Sequence, residues 1–247
     1  MTTYDKLLEI RQKKRAGFLI LIDPDKFDYE NSDKFFEICK HSEVDAFLIG
    51  GSLLQNGRIN EIITLIKSKI SIPAILFPGS LNQIVPTADA ILFLSLISGR
   101  NPEHLIGKHV LAAPLIHYHK LEAISTGYIL IESGQTTTAE YMSGTKPIPY
   151  NKPDIAKATA LAGEFLGMKM IYLEAGSGAE YTVSNKMIKN VKSVVKIPII
   201  VGGGIRDAST AHEKVQAGAD FIVVGNHFEN QMNWIEIKEF GEAIHNG

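Results

Sequence analysis

Residues 171–179, Ile-Tyr-Leu-Glu-Ala-Gly-Ser-Gly-Ala, set a carboxylate between an apolar run of β type and a turn of small residues. The carboxylate is Glu174, preceded by Tyr172 and Leu173, and the turn is Ala175-Gly176-Ser177-Gly178. Glycine has no Cβ, so backbone N–H groups in such a turn can close in on an anion. A carboxylate beside an anion cradle can take a proton from a phosphorylated substrate held there. The plainer alternative is a flexible turn after a strand, with Glu174 as a solvated cap. Two later segments favour the chemical reading by ending the same way. Gly202-Gly203-Gly204-Ile205-Arg206-Asp207 follows one apolar run and Gly225-Asn226-His227 follows another. Amides at both turns, helped by the start of the next helix, can converge on one phosphate. Arg206 and Asp207 read as a local structural pair.

Asp23 and Ser52 end two earlier apolar runs. An aspartate and a hydroxyl are hard oxygen ligands, suited to a Mg²⁺ ion that keeps several waters and touches substrate phosphates. Taken alone, the simpler reading is preferred, in which Asp23 is a turn residue before Pro24 and Ser52 a helix cap. The eight histidines show no zinc-binding spacing; His117 and His119 come nearest but lack a third ligand. No nucleophile elbow or reactive-cysteine pattern is present, and the single cysteine, Cys39, reads as core.

These residues need elements to hold them. Apolar runs at 18–22, 46–49, 74–77, 90–94, 128–131, 170–173, 199–201 and 221–224 read as strands, mostly separated by helical patterns. That alternation predicts an α/β protein, a closed parallel (βα)8 TIM barrel, with an open doubly wound sheet as the alternative. Leu19, Leu21 and Asp23 share one strand face, as do Tyr172 and Glu174. Residues 78–89 hold Pro78, Gly79 and Pro86, too little for a full crossover helix, so the third helix is expected to be missing or reduced. Pro114 makes residues 109–116 read as helix plus loop. Residues 132–153, rich in Ser, Gly, Thr and Pro, read as a long loop and a lid over the site. Residues 4–15 predict an amphipathic helix with Leu7, Leu8 and Arg11 on its seam, capping the closed end.

The 247 residues suit one barrel domain over 1–247, and the 45% hydrophobic content suits a large core. A net charge of −2 with mixed signs gives no case for nucleic acid or an anionic membrane. A lone cysteine, a charged first stretch and no apolar run of spanning length point to a cytoplasmic protein without a transmembrane segment.

Taken in order, LIDPDK (21–26), FLIGGS (47–52), YLEAGSGA (172–179), IVGGGIR (200–206) and VVGN (223–226) resemble the geranylgeranylglyceryl phosphate synthase family, in its archaeal-type branch. The resemblance implies a modified TIM barrel lacking its regular third helix. It implies a Mg²⁺-dependent prenyltransferase of phospholipid biosynthesis that joins a polyprenyl diphosphate, geranylgeranyl diphosphate foremost, to the C3 hydroxyl of sn-glycerol 1-phosphate. By the same resemblance Asp23 and Ser52 hold the metal. Tyr172, Leu173, Glu174, Ala175, Gly176, Ser177, Gly178, Gly203, Gly204, Gly225 and Asn226 hold the glycerol phosphate, and Glu174 accepts the proton. A homo-oligomer is implied as well. Many bacterial relatives carry a lysine two residues before the metal aspartate, where this chain has Leu21. The apolar trough for the prenyl chain is expected at the missing third helix, near Phe77 and Phe93. Two alternatives share the phosphate turns: a phosphosugar isomerase or synthase on the same barrel, and a non-catalytic phosphometabolite-binding barrel.

Overall fold

A computed structural model describes residues 1–246. Eight strands form one closed barrel in chain order, all parallel: β1 (Gly17–Ile22), β2 (Ala46–Ile49), β3 (Ala74–Leu76), β4 (Ala90–Leu96), β5 (Glu122–Leu130), β6 (Met170–Glu174), β7 (Ile199–Gly202) and β8 (Phe221–Val224). Closure is made by β8 on β1, with Leu19 opposite Val223, while Leu21 faces Leu48 of β2. Parallel strands packed on both faces need unbroken apolar runs, which is why β2, β7 and β8 are buried at every residue.

The helices are α1 (Thr3–Lys13), α2 (Ser32–His41), α3 (Ile59–Lys69), α4 (Lys108–His119), α5 (Thr138–Ser143), α6 (Pro153–Phe165), α7 (Asn185–Lys192), α8 (Ala208–Gln216) and α9 (Ile237–His245). Between β3 and β4 there is only a single 3₁₀ turn, Leu81–Gln83, so the helix of the third βα unit, due after β3, is missing as its sequence requires.

Apolar side chains separate into two cores. Leu19, Leu48, Ile75, Leu92, Tyr172 and Ile200 fill the barrel interior, and Leu7 of α1 joins them from below. A larger shell packs the outward strand faces against the helices. On the α1 seam Leu7 is buried, Leu8 is only half-buried, and Arg11 donates through Nε to Asp220 at 2.7 Å. Cys39 is fully buried in the outer core.

Three local expectations are corrected. Residues 108–119 are one continuous helix despite Pro114. Pro114 and Val110 both face solvent, so the carbonyl that the missing N–H would have served can be hydrated. Strand β5 begins at Glu122 and ends at Leu130, not 128–131. Its polar start is used rather than buried: Glu122 accepts the Thr3 and Tyr4 amides at the head of α1. Residues 132–153 are not an unstructured loop. Thr137 accepts the Glu140 amide at 3.3 Å and Gly144 closes α5 in the left-handed region, while Ile148 bridges to Ile131.

Candidate active site

The C-terminal ends of the strands form a polar mouth, a cavity of ≈ 290 Å³. It is lined by Asp23, Ser52, Tyr172, Glu174, Gly176, Ser177, Gly178, Gly203, Gly204, Gly225 and Asn226, which brings together residues from five strand ends. Leu173 and Ala175 are the exceptions among the assigned residues. Strand alternation turns Leu173 into the outer core, and Ala175 packs there too, with its amide bonded to the Gly202 carbonyl at 3.0 Å.

Glu174 is only 5% exposed. Its Oε1 accepts the Gly176 amide at 2.6 Å, so the glycine turn folds back onto the carboxylate that precedes it. Burial pushes the Glu174 pKa up to about 7, against the downward pull of the Gly176 amide and the Tyr172 hydroxyl. That hydroxyl falls short of a well-formed hydrogen bond, and among the described residues it is a buried polar atom without a partner. Tyr172 stacks on Phe77 at 5.3 Å and meets Tyr128 edge-on at 5.4 Å, so three aromatic rings make the floor of the mouth. Burial holds both tyrosines well above the ordinary phenol value, which keeps them neutral donors.

Gly203 has φ +90°, and a Cβ there would meet Glu174 Oε1 and the Gly176 amide nitrogen, each at 2.5 Å. The β6 and β7 turns therefore touch through a position that tolerates no side chain. The helix starts contribute less than expected. Asp207 does not pair with Arg206; it caps α8 by accepting the Thr210 amide at 2.7 Å, so the N-terminus of that helix already has its anion. Arg206 instead donates to the Ala179 carbonyl at 2.8 Å, and β8 is followed by a 3₁₀ turn, Asn226–Glu229, not a helix.

Asp23 divides its two oxygens. Oδ1 accepts the Asp25 amide at 3.0 Å, the turn role that its place before Pro24 suggests, while Oδ2 lies 3.6 Å from Lys26 Nζ in the mouth. Asp25 is committed elsewhere, accepting the Gln55 and Asn56 amides. Ser52 is exposed and caps no helix, since α3 starts only at Ile59. No group of three or more His, Cys, Asp or Glu side chains is placed to hold a metal among the described residues. One carboxylate and one hydroxyl at an open mouth fit Mg²⁺, which completes its shell with water and substrate phosphate.

A second cavity, ≈ 390 Å³, opens where the third helix is missing. Phe77, Ile84, Phe93, Leu94, Leu96 and Ala112 give it an apolar wall. It shares Gly51, Ser52, Leu53, Phe77, Tyr128 and Ala139 with the polar mouth, so the two spaces meet at the end of β2. Gln83 fastens that seam. Its Nε2 donates to the Gly51 carbonyl at 2.8 Å and its Oε1 accepts the Gly79 amide at 3.0 Å. Gly79 lies so near that a Cβ on it would come 2.5 Å from the Gly51 oxygen.

Sequence reasoning missed Gln83, Tyr128, Thr138, Ala139 and Glu229. Only the α5 pair had a signal, the Thr-x-x-Glu cap at 137–140 that marks a helix start.

A parallel barrel carrying a glycine-turn anion cradle, a buried carboxylate and an adjoining apolar cavity is the class that fold and site define. The chain belongs to the PcrB family, matching it over residues 8–244. It is 48% identical over 242 residues to a geranylgeranylglyceryl phosphate synthase of Chitinophaga pinensis, covering 98% of this chain and 95% of that one. A protein of the same name from Pyrococcus furiosus is 43% identical over 237 residues, covering 96% and 93%. The crystal structure of (S)-3-O-geranylgeranylglyceryl phosphate synthase from Thermoplasma acidophilum, in complex with its substrate sn-glycerol-1-phosphate, superposes with a TM-score of 0.92 at 33% identity, covering 99% of each chain.

Proposed function

We propose that this protein is a prenyltransferase that joins a polyprenyl diphosphate, geranylgeranyl diphosphate foremost, to the C3 hydroxyl of sn-glycerol 1-phosphate. The product is an ether-linked lipid phosphate and the leaving group is diphosphate. The observation that carries this reading is Glu174: a buried carboxylate with a pKa of about 7, beside the glycine turns, where a polar mouth joins an apolar cavity.

The glycerol phosphate is held by amides of the turns at Gly203, Gly204, Gly225 and Asn226, which fixes its C3 hydroxyl near Glu174. Glu174 accepts the hydroxyl proton as the oxygen attacks the first carbon of the prenyl chain and the allylic C–O bond breaks. Tyr172, neutral and unpartnered, is free to donate to a glycerol oxygen. The apolar cavity takes the prenyl chain and keeps water from the reacting carbon. Asp23 and Ser52 would hold Mg²⁺, which when bound supplies positive charge for the departing diphosphate.

No helix among the described residues is long and apolar enough to cross a membrane. A homo-oligomer in the cytoplasm is part of the proposal, supported by the exposed apolar face of α4 (Val110, Leu111, Leu115 and Tyr118). The deciding assay supplies sn-glycerol 1-phosphate, labelled geranylgeranyl diphosphate and Mg²⁺, and extracts the lipid product. Absence of an ether-linked lipid phosphate across several prenyl lengths would sink the reading.

A further inference from the structure

The polar mouth carries more negative side chains than positive ones. Asp23, Glu174 and Glu229 line it against Lys26 and Arg206 among the described residues. If the proposed reaction holds, this same mouth must admit two phosphorylated groups, so each cation matters. Arg206 is already engaged, with its guanidinium on the Ala179 carbonyl of the glycine turn. On the β1 side Leu21 offers no charge; it packs under Gly225, whose Cβ position lies 3.1 Å from Leu21 Cβ.

Lys26 is placed differently. Its Nζ lies 3.0 Å from Glu229 Oε1 and 3.6 Å from Asp23 Oδ2, and its side chain is half exposed. Glu229 is tied in turn to the β8 phosphate turn, where its Oε2 accepts from Asn226 Nδ2 at 3.0 Å. Lys26 thus stands over the junction of β1 and β8, between the metal-type carboxylate and the glycine cradle. Both of its partners are carboxylates reached by a flexible four-carbon stem, and a compact ammonium with three donors suits phosphoryl oxygens. The glycerol phosphate has the turn amides to receive it. On the β1 side the mouth is lined by Leu21, Asp23 and Lys26, and Lys26 is the cation among them.

We propose that Lys26 is the diphosphate anchor of this site: its ammonium leaves the Glu229–Asp23 bracket and pairs with phosphoryl oxygens of the prenyl diphosphate. Asp23 is thereby released for the metal, while Glu229 keeps its hold on Asn226. The proposal rests on the prenyl-transfer reading above, and the two are separable because the anchor can be read from binding alone.

The experiment is isothermal titration of the full chain with inorganic diphosphate in Mg²⁺, and separately with sn-glycerol 1-phosphate. Lys26→Met should weaken diphosphate binding about tenfold or more, the scale of one charge-assisted hydrogen bond. Glycerol phosphate affinity should stay within about threefold of wild type, since its contacts are to backbone amides. Lys26→Arg should recover most of the diphosphate affinity, which a purely structural role for the lysine would not require. Should Lys26→Met fail to fold, Lys26→Gln carries the same expectation. Diphosphate affinity unchanged in the neutral variant overturns the proposal. So does a loss confined to glycerol phosphate, which would put Lys26 in the cradle, and so does an equal loss of both ligands. Wild-type protein that binds both ligands but forms no ether lipid counts against the reaction and not against the anchor.

Discussion

Gly203 and Glu174 compete for one volume: a Cβ on Gly203 would stand 2.5 Å from Glu174 Oε1. The same Cβ would meet the Gly176 amide nitrogen that holds the carboxylate, at 2.5 Å, and φ at Gly203 is +90°. Gly203→Ala should therefore cost about 1–3 kcal/mol of stability through strain and overlap. It should also lower kcat/KM by about a hundredfold or more, because the carboxylate must shift from its proton-accepting geometry. Urea unfolding and steady-state kinetics measure the two effects separately. A variant with near-wild-type turnover would mean that the contact does not position Glu174.

The raised pKa of Glu174 sets a pH dependence with a definite sign. As the proton acceptor it must be ionised, so kcat/KM should rise with pH up to about 7 and level off above. Glu174→Gln should lose about 10²–10⁴-fold in kcat with glycerol phosphate affinity nearly intact, and its residual rate should lack that inflection. Stability runs the other way. The stability that neutral Glu174 provides is present below the ordinary 4.5 and is lost as pH rises through about 7. Above pH 7 the glutamine variant should thus be the more stable protein, by on the order of 1–3 kcal/mol. Parallel thermal melts at pH 5 and pH 8 decide it, and a variant less stable at both would show that ionised Glu174 is well solvated.

Asp23→Asn keeps the shape and the turn bond from the Asp25 amide but removes the charge facing the mouth. The Mg²⁺ concentration giving half-maximal activity should rise about tenfold or more, with little change in Tm because the carboxylate is at a solvated rim. An unaltered Mg²⁺ titration would confine Asp23 to its turn.

Gln83 is buried and serves backbone groups of two separate connections, the Gly51 carbonyl and the Gly79 amide. Gln83→Leu leaves both without partners and should cost about 2–4 kcal/mol. Because Gly51 belongs to both cavities, KM for the prenyl diphosphate should rise more than KM for glycerol phosphate. Equal changes in the two KM values would reduce Gln83 to a structural clamp.

Much of this protein is written locally. Apolar runs ending in Asp23, Ser52, Glu174, Gly202 and Val224 fix eight parallel strands, because a strand buried on both faces has few other compositions open to it. Period-two alternation puts Tyr172 and Glu174 on one face, and it should equally have turned Leu173 away from the substrate, as the fold does. The prolines and glycine of 78–89 forbid a crossover helix, and so dictate the gap that becomes the apolar cavity. The helix at 138–143 lies in a stretch whose composition reads as loop, and its local signal is the Thr137 cap and the Gly144 stop.

Tertiary structure decided what depends on distance through space. The pKa of Glu174 is a burial effect, and no neighbour in sequence reveals that the carboxylate is 5% exposed under three strand ends. Gln83 reaches Gly51 across 32 positions, and Lys26 reaches Glu229 across 203, so neither contact leaves a periodic trace in the chain. The proline at 114, which made residues 109–116 read as helix plus loop, removes only one hydrogen bond, and the helix runs on where the freed carbonyl faces water. Residue type and spacing chose the chemistry available at each strand end. Closing β8 onto β1 chose which of those ends would share a mouth, because only a closed barrel brings the first strand and the last within reach of one substrate.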